Sequence, residues 1–233
     1  MYQKFYETGF KRTAFLGMLL EMVTSNKAVI PDPLDQDLVD AMMLVLTAEE
    51  RDEDKEVSMY FQVMLKLVSN ISNNSEGVEF ISNQYDLMEF LIDLIPFQPV
   101  GPNQTFTFDV LHVFRNLLRS DNTYFKIIQK YPNLGDIIVM RLTRKSNNSD
   151  LMNEGVICLR NFIRNPSMVS RMDLTSVDCL VEIVRQFETF RRLDKVASSC
   201  IEMVIGILKM YNKQADYNQR IKSLKAEYML TKY

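Results

Sequence analysis

Phe114-Arg115-Asn116-Leu117-Leu118-Arg119 and Leu159-Arg160-Asn161-Phe162-Ile163-Arg164 are two copies of one pattern, set 45 residues apart. Forty-six residues before Asn116 lies Val68-Ser69-Asn70-Ile71-Ser72-Asn73, and 45 after Asn161 lies Val204-Ile205-Gly206-Ile207-Leu208-Lys209. The chain repeats itself. Helix-forming sequence that recurs every 40 to 47 residues or so marks a solenoid, because a small helical unit cannot bury its own apolar face and must stack on its neighbours.

Composition agrees. The 233 residues are 47% hydrophobic and 24% charged, an ordinary globular balance. Only seven Gly and seven Pro are present, too few for the turns of a sheet protein. No run of 18 uninterrupted apolar residues occurs, so no membrane span is expected. The first residues, Met1-Tyr2-Gln3-Lys4-Phe5, lack a basic head and apolar core, so a cytoplasmic location is expected, with the nucleus as the other compartment. The three cysteines, Cys158, Cys179 and Cys200, fall on apolar helix faces and read as buried free thiols. Residues 1–100 carry seven Lys/Arg against seventeen Asp/Glu, or −10; residues 101–233 carry twenty against thirteen, or +7. The basic half suits an acidic partner.

Along the chain, apolar spacing predicts helices over 4–23 and 34–45, which fit the repeat poorly and read as an N-terminal cap over 1–56. Thr47-Ala48-Glu49-Glu50 has the form of a capping box opening the next helix, and the acidic run 49–56 reads as its solvated first turn. Four repeats follow, at 57–103, 104–149, 150–194 and 195–233, forming one all-α, right-handed superhelical domain over 1–233. Pro96, Pro99, Gly101 and Pro102 mark an extended inter-repeat loop. Pro132 is expected in the first turn of a helix carrying Leu134 and Ile138. A single final helix over 215–230 is expected to act as the C-terminal cap.

Aligning the repeats on Asn70, Asn116, Asn161 and Gly206 gives three apolar columns: Leu65, Leu111, Val156, Ile201; Leu67, Val113, Cys158, Met203; and Ile71, Leu117, Phe162, Ile207. These are the expected continuous core. The Asn column instead sets a polar amide at one level of consecutive helices. An amide offers both a donor and an acceptor and so matches a peptide unit without reading its sequence. The competing reading is that these Asn residues bond neighbouring loops at helix ends.

Over about 57–211 the chain resembles the armadillo family, whose third-helix Asn residues line a concave groove and hold an extended peptide by its main chain. The matching segments are Ser69-Asn70-Ile71, Arg115-Asn116-Leu117 and Arg160-Asn161-Phe162. Nuclear-import adaptors of that family pair each Asn with a Trp, and this chain has none, so a basic localisation signal is not the expected ligand. The neighbours here are Arg115 and Arg160, with Arg119, Arg164 and Lys209 one turn on, an arrangement similar to the basic groove of a catenin-type domain that takes acidic extended ligands. The family's Gly between its first two helices has no regular counterpart, which leaves HEAT-like geometry open. The segments 108–115 and 155–162 also resemble the PUL domain, an armadillo-like module of ubiquitin-pathway adaptors that binds the acidic tail of an AAA unfoldase.

Catalysis is not expected. His112, the one histidine, has no Cys or carboxylate at ligand spacing and reads as a bonded structural residue. No phosphate-binding glycine loop, nucleophile elbow or zinc pattern is present, and no cofactor or metal is expected. The other binding class is nucleic acid, which Arg141, Arg144, Lys145, Arg191, Arg192 and Lys195 near the connectors would contact through phosphates. Overall acidity and the lack of a long basic stripe weigh against it. The expected function is therefore a non-enzymatic adaptor or scaffold that binds an extended acidic peptide along Asn70, Asn116, Asn161, Arg115, Arg119, Arg160, Arg164 and Lys209.

Overall fold

The computed structural model describes residues 59–96, 105–143, 149–188 and 195–232. Every element among them is helical. The chain divides into two compact units, Met1–Ser120 and Asp121–Tyr233. The expected cap over 1–56, with its two helices and the Thr47 capping box, lies outside the described residues.

The first unit contains α1 (Met59–Ile71), α2 (Ser75–Asn83), α3 (Tyr85–Leu94) and α4 (Thr105–Arg119). The long helices α1 and α4 pack on each other, and α2 and α3 each touch α4. Phe61, Leu65 and Val68 of α1 and Leu111, Phe114 and Leu118 of α4 are buried, at spacings of three and four that place them on one stripe of each helix. Each such side chain contributes about 1.5–3 kcal/mol by leaving water. Asn74 starts α2 by accepting a 2.7 Å hydrogen bond from the Gly77 amide, which satisfies one of the free donors at a helix start. Gly77 is there because nothing larger fits: a Cβ would lie 1.9 Å from the Ile71 carbonyl oxygen at the end of α1. The tight corner therefore needs a residue without a side chain.

The second unit contains α5 (Asp121–Lys130), α6 (Leu134–Thr143), α7 (Ser149–Phe162), α8 (Pro166–Val169), α9 (Thr175–Glu188), α10 (Lys195–Tyr211), α11 (Ala215–Ser223) and α12 (Glu227–Lys232). Here α7 packs on α10 as α1 does on α4, and α6 and α9 pack on each other and on those two respectively. Buried polar tips fasten the layers. The Tyr124 hydroxyl of α5 donates to the Phe162 carbonyl at 2.8 Å and accepts from the Asn165 amide at 3.3 Å. Tyr217 of α11 sets its hydroxyl 2.6 Å from the Met172 carbonyl oxygen and 2.9 Å from that of Val169. Asp136 of α6 accepts from the Asp173 amide at 3.0 Å and the Ser176 hydroxyl at 2.5 Å, which ties α6 to the start of α9.

The three apolar columns are buried throughout, except for Met203, which is half-buried. Their anchor residues, Asn70, Asn116, Asn161 and Gly206, fall in the last turns of α1, α4, α7 and α10. Two helices follow each of these four before the next begins or the described chain ends.

Two local expectations are corrected. Pro132 precedes its helix, which starts at Leu134 after a turn closed by the Leu134 amide on the Tyr131 carbonyl at 3.2 Å. The single helix over 215–230 is two helices. The break is a Schellman motif: the Lys225 amide bonds the Lys222 carbonyl at 2.9 Å, and the Ala226 amide bonds the Ile221 carbonyl at 3.1 Å. Lys225 takes the left-handed position with φ 54°, and Ile221 and Ala226 are buried beside the break. No Gly or Pro announces it in the sequence.

A left-handed backbone costs an L-residue about 1–2 kcal/mol and glycine almost nothing. Lys225→Gly is therefore expected to stabilise the chain by about 0.5–1 kcal/mol. Gly77→Ala should do the reverse, with a loss of about 2 kcal/mol or more, since the added methyl meets backbone that cannot rotate away. Urea denaturation followed by circular dichroism checks both, and a neutral Gly77→Ala would contradict the close approach.

Candidate functional site

The residues singled out from the sequence lie on the long helices α1, α4, α7 and α10, along the stripe opposite the buried columns, except Arg164, which follows the end of α7 at Phe162. On α10 the exposed positions are Lys195, Ser199, Glu202, Gly206 and Lys209, three or four apart, which is one face of a helix. On α4 the corresponding face shows Phe108, His112, Arg115, Asn116 and Arg119.

In the first unit this face is closed by side chains. Lys66 of α1 donates to Asp109 of α4 at 3.0 Å. His112 Nε2 lies 2.8 Å from Asn73 Oδ1, and its ring stacks on Phe108 at 6.2 Å. Because an amide oxygen only accepts, that Nε2 carries a proton. Asn116 Nδ2 donates to Ser72 Oγ at 3.0 Å and to Asn73 Oδ1 at 3.3 Å, and Ser72 Oγ donates in turn to the Ser69 carbonyl at 2.6 Å. The amide hydrogens of Asn116 thus go to the turn after α1, as the competing reading of the Asn column expects for that residue. Asn70 is half-buried, as is Arg115, and Arg119 is exposed. His112 is bonded, in keeping with its structural reading.

The second unit is arranged differently. Arg164 pairs with Asp121 at 2.8 Å and lays its guanidinium 3.9 Å from the centre of the Tyr124 ring. Its charge is already engaged in holding α5 to the end of α7. Asn161 is half-buried, and Arg160 and Lys209 are exposed. Gly206 is exposed, and a Cβ there would meet nothing within 4 Å. Cys158 and Cys200 are buried; Cys179 is half-buried, and desolvation pushes its thiol above the usual range, making it a poor nucleophile.

Of the basic residues considered for phosphate contacts, Arg141 is only 1% exposed. A guanidinium so covered cannot reach a polyanion, which corrects that part of the reading. Lys195 is exposed, and Arg144, Lys145, Arg191 and Arg192 lie outside the described residues. No group of His, Cys, Asp and Glu among the described residues could hold a metal ion. No helix among the described residues is long and apolar enough to cross a membrane.

The partners that close the first unit's seam, Lys66, Asn73 and Asp109, were not singled out from the sequence. Their one available signal was spacing, since Lys66 with Asp109 and Asn73 with Asn116 are each 43 residues apart. No known family model, curated protein or solved structure matches this chain.

Asp109 sets up a test by pH. Burial raises its pKa above the ordinary carboxylate value, and the hydrogen bond and charge of Lys66 pull it part of the way back. The folded state therefore holds this proton more tightly than the unfolded state, so the group's contribution to stability falls as pH rises through its folded pKa. Lys66→Met leaves the carboxylate buried without its ammonium. The expected loss is about 1–2 kcal/mol at pH 7 and shrinks over the acidic range as Asp109 takes up its proton. Urea midpoints of both chains across that range check it, and a gap that does not change with pH would contradict it.

Proposed function

We propose that this chain is a non-enzymatic interaction module, an adaptor or scaffold that binds an extended acidic peptide or disordered segment. In this reading the fold is an armadillo-like, right-handed solenoid of about four repeats with capping helices at its ends. Three features support the fold: the recurrence of a long helix followed by two more, the packing of α1 on α4 and of α7 on α10, and cross-helix bonds that join residues about one period apart. The ligand lies against the face that carries the Asn and Gly positions. No cofactor takes part, and the protein works in the cytoplasm or nucleus.

The observation that carries the function is the placement of Arg119, Arg160 and Lys209. All three are exposed, all sit near the C-terminal ends of long helices, and all belong to the repeated pattern. Arg164 shares the pattern, but its ion pair with Asp121 gives it a structural task as well. Arg115 contributes from a half-buried position. Burial of Arg141 removes one of the phosphate contacts the nucleic-acid alternative needs. The PUL resemblance would make the acidic ligand an unfoldase tail, which is the same chemistry.

Each Arg that meets a ligand carboxylate through a charge-assisted hydrogen bond contributes about 1.5–3 kcal/mol. The Arg115→Ala/Arg160→Ala double variant is expected to bind a Glu-rich peptide at least about tenfold more weakly, with a shallower dependence on salt. Fluorescence anisotropy in a salt titration measures both. Unchanged affinity and salt slope would remove the proposal, and a gel shift with duplex DNA at two salt concentrations tests the nucleic-acid alternative.

A further inference from the structure

The two long-helix pairs present the same face in different states. In the first unit, Lys66 with Asp109, His112 with Asn73, and Asn116 with Ser72 and Asn73 bridge α1 to α4, so the line between the helices is filled. One period later the bridging positions have changed chemistry. Gly206 stands where Asn116 stands and has no side chain to extend. Arg164 stands where Asn73 and Arg119 stand, and it is turned to Asp121 and Tyr124. The line between α7 and α10 therefore lacks these bridges, and the space above Gly206 is empty to 4 Å.

Register says which charges flank that space. Bonds that bridge paired long helices join residues 39 to 47 apart, as in His112 with Asn73, Lys66 with Asp109 and Asn153 with Cys200. Arg160 is 46 residues before Gly206 and so stands at its level on α7. Lys209 is three residues after Gly206 on the same face of α10. Among the described residues neither Arg160 nor Lys209 has a hydrogen-bond or ion-pair partner, and both are exposed. Glu202, one turn before Gly206, is exposed and carries the opposite sign. Anionic groups are thus favoured at and beyond Gly206 and repelled before it.

We infer that the acidic peptide is seated on the second unit, its main chain over Gly206 and its carboxylates towards Arg160 and Lys209, and that the bridged α1–α4 face takes little part. The inference rests on the acidic-peptide reading above and adds where the ligand lies. A glycine at this position is the opening that lets a peptide backbone approach a helix surface. Glu202 sets the direction in which the ligand's charge must run.

The test uses the full chain and a fluorescein-labelled peptide of alternating Glu and Gly, read by anisotropy. Gly206→Phe covers the seat and should weaken binding by about tenfold or more, while the melting temperature holds or rises because a Cβ there meets no atom within 4 Å and glycine is a poor helix residue. Lys209→Ala and Arg160→Ala should each cost about tenfold, and Arg115→Ala less than about twofold. Glu202→Gln should tighten binding by about two- to fivefold. If Gly206→Phe melts early, Lys209→Ala and Glu202→Gln decide alone, since both remove only exposed atoms. Wild-type binding that survives Gly206→Phe unchanged, or that depends on Arg115 as much as on Arg160, overturns the seat and leaves the acidic-peptide reading standing. A wild-type chain that does not bind the peptide overturns both.

Discussion

The structure depends on one constraint: a helix with an apolar stripe must find another stripe, and the long helices find it about 45 residues along the chain. Leu65, Leu111, Val156 and Ile201 are buried because each lies on a long helix that packs on another, α1 on α4 and α7 on α10. The polar fastenings obey the same spacing. Tyr124 with Phe162, Asp136 with Ser176, Arg220 with Asp178 and Tyr217 with Val169 join residues 38 to 48 apart. Interactions of this kind keep the contacts that define the fold short in sequence.

That register also decides the character of the outer face. A side chain on one long helix can bridge only to a residue about one period away, so a change at either position opens or closes the line between two helices. Asn116 finds Ser72 and Asn73 at its reach and closes it. Gly206 has nothing to extend, and Arg164 has a better partner in Asp121, whose carboxylate is 2.8 Å away and supplemented by the Tyr124 ring. One repeated pattern therefore yields two surfaces. The difference comes from single positions within the pattern and not from any change in the helices.

Much of the core could be read directly from the repeated columns. Buried positions must be apolar and must recur with the period, so alignment on Asn116 and Asn161 found Phe162, Leu117 and Val156 without further information. What escaped were features with no periodic or compositional mark. The break at Lys225 is held by two backbone hydrogen bonds and the buried Ile221 and Ala226, which together outweigh the cost of a left-handed lysine. Propensity read along 215–230 therefore ran one helix through it. Burial of Arg141 was equally hidden, since a charged residue beside a polar connector looks exposed until packing covers it. On the outer face, the sequence singled out Asn116 and Arg164 but could not say that their polar groups were already engaged.

The basic residues at the helix ends have a structural explanation that must be weighed against the functional one. Arg119, Arg160 and Lys209 sit in the last turns of α4, α7 and α10, where a cation complements the partial negative charge of the helix terminus. For exposed groups that effect amounts to about 0.3–1 kcal/mol and is screened by salt. It accounts for a positive charge at a helix end but not for its arrangement on α7 and α10, where Arg160 and Lys209 flank a residue with no side chain. A dipole would be satisfied equally by a cation pointing along any side of the last turn. The proposed ligand across the two helices would account for charges on one face, at one level, beside an opening. The two explanations also act on different quantities, since a dipole partner removed costs folding stability and a ligand contact removed costs affinity.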